Sequence, residues 1–146
     1  MKKKSVLALL ALTFGLVACD STDSSEEFSC DVTRTSSTVK VEVRIPGFAS
    51  YVSIVTAKVD KYGYDYADIE TELWYAQSSM AQEECDGWIR EARSWKDGSV
   101  RVECSGNYIY ILRYDEGSLR NHERDFERMC EDARRMYENG EFDQYM

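Results

Sequence analysis

Four cysteines stand in the body of the chain, Cys30, Cys85, Cys104 and Cys130, and a fifth, Cys19, lies near its start. The four form no C-x-x-C pair and no Cys/His zinc spacing, so the chemistry they offer is oxidation to disulfides, with no metal site expected. An even number in one small domain points to two bridges and an oxidising compartment. His122 is the only histidine. It cannot form a dyad with Cys130, since eight residues along one helix span about 12 Å. It is expected to pack in a first helical turn, and no catalytic residue is assigned. Asp60, Asp65, Asp68, Glu70 and Glu72 make an acidic stretch around Gly63, without the D-x-D-x-D-G spacing of a calcium loop. The same acids could supply the carboxylate pair of a glycan-processing site, although nothing in the sequence fixes their separation. Aromatic residues are the more informative excess. Tyr62, Tyr64, Tyr66, Trp74 and Tyr75 are expected to gather around one turn, and Tyr108, Tyr110 and Tyr114 to stripe one strand. Exposed rings on a rigid sheet can stack on sugars or anchor a protein partner, but they also serve as ordinary cross-strand packing. Tyr62, Tyr64, Tyr66 and Trp74 are the candidate binding residues.

The elements that must hold these groups follow from periodicity. Phe28, Cys30 and Val32 alternate with polar residues as a short strand, and Val39, Val41, Val43 and Ile45 alternate with Lys40, Glu42 and Arg44 as a second. Pro46-Gly47 turns the chain into a third strand over Ser50 to Val59. A fourth is expected around Ala67–Ala76, although Glu70-Thr71-Glu72-Leu73 could also join a helix. Ser79 to Gln82 has capping-box form and opens a helix with Ala81, Cys85, Trp88, Ile89 and Ala92 on one face, ending near Trp95 before Asp97-Gly98. Val100, Val102 and Cys104 mark a fifth strand, Gly106-Asn107 a hairpin turn, and Tyr108–Tyr114 a sixth strand. Ser118 caps a final helix whose inner face is Leu119, His122, Phe126, Met129, Cys130, Ala133 and Tyr137, ended by Asn139-Gly140. The order ββββαββα argues an α+β fold, an antiparallel sheet of about six strands with two helices on one face. The expected core is Phe28, Val32, Val41, Val43, Ile54, Trp88, Ile89, Val100, Val102, Phe126, Met129 and Ala133.

Of the three pairings open to four cysteines, this layout favours Cys85–Cys104 with Cys30–Cys130. The helix climbs about 15 Å from Cys85. The following strand returns about 20 Å to Cys104. Both cysteines then lie at one level on inward faces, as do Cys30 and Cys130.

The start of the chain has a different character. Met1-Lys2-Lys3-Lys4 is basic and Val6 to Ala18 is apolar, the pattern of a secretory signal and too short a run to span a membrane. Leu16-Val17-Ala18-Cys19 resembles the lipobox of bacterial lipoprotein precursors. That resemblance implies a diacylglycerol thioether on Cys19, cleavage before it, and acylation of the new amino terminus with a palmitate-type chain. Two or more chains make a stable anchor where one does not. The resemblance covers only the first twenty or so residues, and the mature domain resembles no family. Asp20 after the cysteine favours inner-membrane retention in enterobacterial lipoproteins, whereas acidic tethers of this kind are common on outer-membrane surface lipoproteins. The expectation is therefore an exported chain, lipid-anchored in the cell envelope, with the membrane left open.

Residues 1–18 are then a signal peptide, 19–27 a lipidated acidic tether, 28–138 a single domain and 139–146 an acidic C-terminal tail. The whole chain carries −9. The leader holds three of its lysines, which puts the mature chain at −12, and setting aside seven acids, Asp20, Asp23, Glu26 and Glu27 in the tether and Glu138, Glu141 and Asp143 at the C-terminal end, leaves −5 on the core. An acidic domain without clustered Lys and Arg is not a nucleic-acid binder. No cofactor is called for. Two functions remain in view: a non-enzymatic interaction domain for another envelope protein, and a carbohydrate-binding module or weak glycan-processing enzyme built on residues 60–76.

Overall fold

The computed structural model describes residues 27–63, 65–95 and 99–146. The leader, Cys19, the tether up to residue 26, Tyr64 and the expected Asp97-Gly98 helix stop lie outside them. Six strands, β1 (Ser29–Arg34), β2 (Thr38–Ile45), β3 (Ala49–Val59), β4 (Asp65–Tyr75), β5 (Arg101–Ser105) and β6 (Tyr108–Asp115), form one antiparallel sheet in the order β1-β2-β3-β4-β6-β5. Two helices, α1 (Ser78–Ser94) and α2 (Leu119–Glu138), cover one face of it. Glu70-Thr71-Glu72-Leu73 lies in β4.

The turns follow from their residues. Gly47 at φ 76° after Pro46 closes β2–β3, with the Phe48 N–H donating to Ile45 O at 3.1 Å. Only glycine takes a positive φ at no steric cost at that place in the turn. Gly106 at φ 58°, followed by an Asn107 of negative φ, suits the tight β5–β6 hairpin. Asn107 also ties that hairpin to the end of β4, its Nδ2 donating to Tyr75 O at 2.7 Å and Ala76 O at 3.2 Å. Ser118 caps α2 as expected, accepting from the Asn121 N–H at 3.2 Å. The expected cap of α1 is corrected: the N-cap is Gln77, two residues before Ser79, and no side chain caps the helix.

Two clusters fill the space under the helices. Val39, Val41, Val43, Val55, Ala67 and Ile69 pack with Phe126 of α2, and Leu73, Ile109 and Ile111 with Cys85 of α1. Between them on the sheet, Ser53 and Thr71 pair their hydroxyls at 3.0 Å. This pair corrects one core expectation. With Ser53 and Val55 turned to the helices, Ile54 faces the other way and is only half-buried. Val41, Val43 and Phe126 are buried as expected. Phe28, Val32, Trp88, Ile89, Val100, Val102 and Met129 are half-buried and line the edges of the clusters, and Ala133 is half-buried as well.

Both disulfides form as the layout required. Cys30–Cys130 joins edge strand β1 to α2 with a Cα–Cα distance of 5.5 Å, and Cys85–Cys104 joins α1 to edge strand β5 at 6.3 Å. Each bridge staples an edge strand, the least supported part of a sheet, to the helix above it. The acidic C-terminus is also held. Phe142 is buried and stacks on Phe48 at 5.2 Å, Tyr145 meets the same ring at 5.4 Å, and Gln77 Nε2 donates to Tyr145 O at 3.0 Å.

Candidate functional site: the helix-free face of the sheet

Strand alternation sends every second residue away from the helices. On β4 those residues are Tyr66, Asp68, Glu70, Glu72 and Trp74, and on β6 they are Tyr108, Tyr110, Leu112 and Tyr114. The register sets them in rows across the sheet. One row reads Glu42, Val52, Glu72, Tyr110, Glu103, the next Lys40, Ile54, Glu70, Leu112, Arg101, and a third Arg44, Ser50, Trp74, Tyr108, Ser105. The face is thus an acidic ladder on the central strand beside a tyrosine ladder on its neighbour. A ring pair closes each end, Trp74 with Tyr108 at 5.1 Å and Tyr66 with Tyr114 at 6.2 Å between centroids.

The middle of this face is sunk although no helix covers it. Val52 and Glu72 are each 1 % exposed and Tyr110 4 %. Tyr108 Oη donates to Glu72 Oε1 at 3.0 Å, while Glu72 Oε2 and Asp68 Oδ1 are buried with no hydrogen-bond partner. The other Asp68 oxygen meets Lys58 Nζ at 2.9 Å, and Lys40 pairs with Glu42.

Electrostatics follow from that burial. Loss of water raises the Glu72 carboxyl above its ordinary range; the Tyr108 hydrogen bond opposes the shift and the Glu70 charge adds to it. Burial pushes the Tyr110 phenol up to about 12, with Glu70 assisting and Arg101 opposing. Tyr108 is raised for the same reason, and the Glu72 charge adds to it. The centre of the face is therefore a low-dielectric floor whose carboxyl is short of one partner. An orphaned acceptor of this kind costs the fold free energy unless something supplies a donor.

The structure separates the residues named from the sequence. Tyr66 and Trp74 both belong to this face but stand at opposite ends of β4, about 27 Å apart along an extended strand. The expected gathering of Tyr62, Tyr66, Trp74 and Tyr75 around one turn is corrected accordingly. Tyr62 sits on the β3–β4 turn, 73 % exposed, with Lys61 Nζ 5.1 Å from its ring centroid. Tyr75 turns to the helix side and meets Phe48 edge-on at 5.7 Å. Tyr64 lies outside the described residues. The stripe of Tyr108, Tyr110 and Tyr114 is on one face as its spacing required. Glu72 was legible only as one acid among several; that it is the buried one follows from its row between Val52 and Tyr110.

Other candidate chemistry resolves into packing. His122 is buried at the start of α2 with Nε2 3.1 Å from Asp115 Oδ2, outside hydrogen-bond geometry. Asp60 accepts from the Tyr62 N–H at 2.8 Å and so shapes the turn. Among the described residues no three His, Cys, Asp or Glu side chains gather closely enough to hold a metal ion, and no helix is long and apolar enough to cross a membrane. No family model, curated protein or solved structure matches the chain.

Proposed function

We propose that the protein is a lipid-anchored envelope lipoprotein whose domain is a non-enzymatic docking module, with the helix-free face of the sheet as its contact surface. The observation that carries this reading is the aromatic–carboxylate floor itself. Rings from two adjacent strands stand on one rigid face around a buried carboxylate oxygen that lacks a partner. Rings fixed by a sheet lose little freedom on binding, which is why aromatic anchors dominate contact energies. A catalytic use fits less well. A general acid must reach the reacting oxygen of its substrate, and Glu72 is sealed beneath its neighbours.

The anchoring half of the proposal rests on the Leu16-Val17-Ala18-Cys19 lipobox resemblance, and two disulfides agree with an oxidising compartment. Labelling with a radiolabelled fatty acid tests it. The parent chain incorporates label and matures to residue 19, and Cys19→Ala accumulates as unlabelled precursor. Normal labelling of that variant refutes the anchor.

The Trp74–Tyr108 pair favours a second reading, a glycan module, because two tilted rings form a platform on which a sugar can stack. A thermal-shift titration of the full chain with chito-, cello- and xylo-oligosaccharides separates the two. A true ligand at 100 times its Kd adds about 2.7 kcal/mol, or on the order of 10 °C for a domain of this size. The docking-module reading expects no such shift.

A further inference from the structure

We infer that the helix-free face takes an extended segment of a partner protein through its basic side chains, so that the ligand chemistry is a lysine or arginine cation held over tyrosine rings. This inference rests on the docking reading above and adds the nature of the partner.

The unpartnered oxygens supply the first reason. Glu72 Oε2 and Asp68 Oδ1 are both buried acceptors without a donor, on the same face of the same strand. A residue separation of four on an extended chain is about 13 Å. An extended segment lying along β4 presents its own side chains at that spacing, so two basic residues four apart set one cation on the surface above each carboxyl, since neither oxygen is itself exposed. A metal ion does not answer this pattern, because the acids are strung along the strand and do not converge.

The rings supply the second. Tyr108 and Tyr110 stand beside Glu72, and Tyr66 and Tyr114 pair beside Asp68. The face of an aromatic ring attracts an ammonium or guanidinium group, more strongly where water is thin. A cation resting there also feels the carboxylate beneath it across a low-dielectric layer.

Charge excludes the nearest competitors. The tether of this chain carries Asp20, Asp23, Glu26 and Glu27 and is repelled by the ladder. A second copy would set ladder against ladder. Anionic headgroups are repelled as well. The charged and titratable groups facing Glu72 are Glu70 on its own strand, Tyr108 and Tyr110 on β6, Glu103 and Arg101 on β5, and Glu42, Lys40 and Arg44 on β2; β3 offers Val52, Ile54 and Ser50, none of them charged. The cations among them are at the margins, and Lys40 is already engaged with Glu42. A cation docking over Glu72 favours its ionised form, so binding releases a proton and tightens as pH rises through the free-state titration of that carboxyl.

The test is an NMR and calorimetric titration of the full chain in a non-ionic detergent. The probe is a nine-residue peptide of serine and threonine with lysine at its third and seventh positions, and its control replaces both lysines by norleucine. The lysine peptide is expected to move the amides of Asp68–Trp74 and Tyr108–Tyr114 and to bind more tightly than the control by about tenfold or more. Glu72→Gln should erase most of that preference and Glu83→Gln, on the outer face of α1, none of it. Asp68→Asn provides the same reading should Glu72→Gln fail to fold by near-ultraviolet circular dichroism. Equal binding of both peptides at this face leaves the docking surface standing and overturns the cation inference. Absence of binding by the lysine peptide, or displacement of it by a neutral oligosaccharide, also overturns the inference. Amide shifts confined to the helices or the sheet edges overturn the docking reading with it.

Discussion

Removing the two disulfides one at a time should destabilise the domain unequally, and the order follows from where each bridge lies. Cys30–Cys130 closes a span of 100 residues and Cys85–Cys104 one of 19. The chain-entropy relation then assigns about 4.7 kcal/mol to the first and about 3.2 kcal/mol to the second. A domain of roughly 110 residues unfolds with an entropy that converts 1 kcal/mol into about 4 °C. Replacing both cysteines of a pair by alanine should therefore lower the midpoint by about 19 °C for Cys30/Cys130 and about 13 °C for Cys85/Cys104. Differential scanning calorimetry of the two double variants measures this directly. The local consequences differ too. β5 exposes most of its residues, so without its bridge to α1 the amides of Arg101–Ser105 should exchange before those of any central strand. A reversed order of midpoints, or a loss of under about 3 °C for either variant, would refute the reasoning that the bridges act by restricting the unfolded chain and pinning edge strands.

Three further outcomes are expected. Glu72 is held above the ordinary carboxylate value of 4.5, so its contribution to stability is complete below that value and is lost as pH rises through the raised folded value. Glu72→Gln, neutral at every pH, should match the parent near pH 4 and exceed it at pH 8 in urea midpoint; an unchanged pH profile would show that the carboxyl is not buried in solution. Ser53→Ala leaves the Thr71 hydroxyl alone between the two core clusters and should cost about 1–3 kcal/mol, whereas Ser53→Ala with Thr71→Val should recover most of it; additive losses would contradict the pairing. Phe142→Ala removes a buried ring stacked on Phe48 and should cost about 3–5 kcal/mol by chemical denaturation, against almost nothing for a dispensable tail.

The strand–helix order and both bridges were legible because two periodicities were clean. The Val39 to Ile45 alternation fixed one face of β2, and the Phe126, Met129, Ala133 spacing fixed one face of α2. The misreading of Ile54 has a physical origin. Val52-Ser53-Ile54-Val55 carries apolar residues on both parities, so hydrophobicity alone could not choose the buried set. The choice fell to the Ser53–Thr71 hydrogen bond, a partnership across 18 residues that no local pattern announces. The helix-free face was half legible. The tyrosine stripe of β6 showed in its spacing, but its meeting with the acids of β4 depended on β6 returning beside β4, with β5 placed outside it. The acidic composition of residues 139–146 likewise concealed that Phe142 is a core residue.

Burying Glu72 short of a partner costs stability, and such costs collect where function demands them. The most direct test of the docking face is site-specific photocrosslinking in intact cells, with a benzophenone side chain placed at Glu103 or Tyr114 on the helix-free face and at Arg128 on the exposed side of α2. The docking face predicts a discrete adduct from Glu103 or Tyr114 that disappears with Trp74→Ala/Tyr108→Ala, and none from Arg128. Adducts from Arg128 alone, or adducts indifferent to the loss of those two rings, would contradict it.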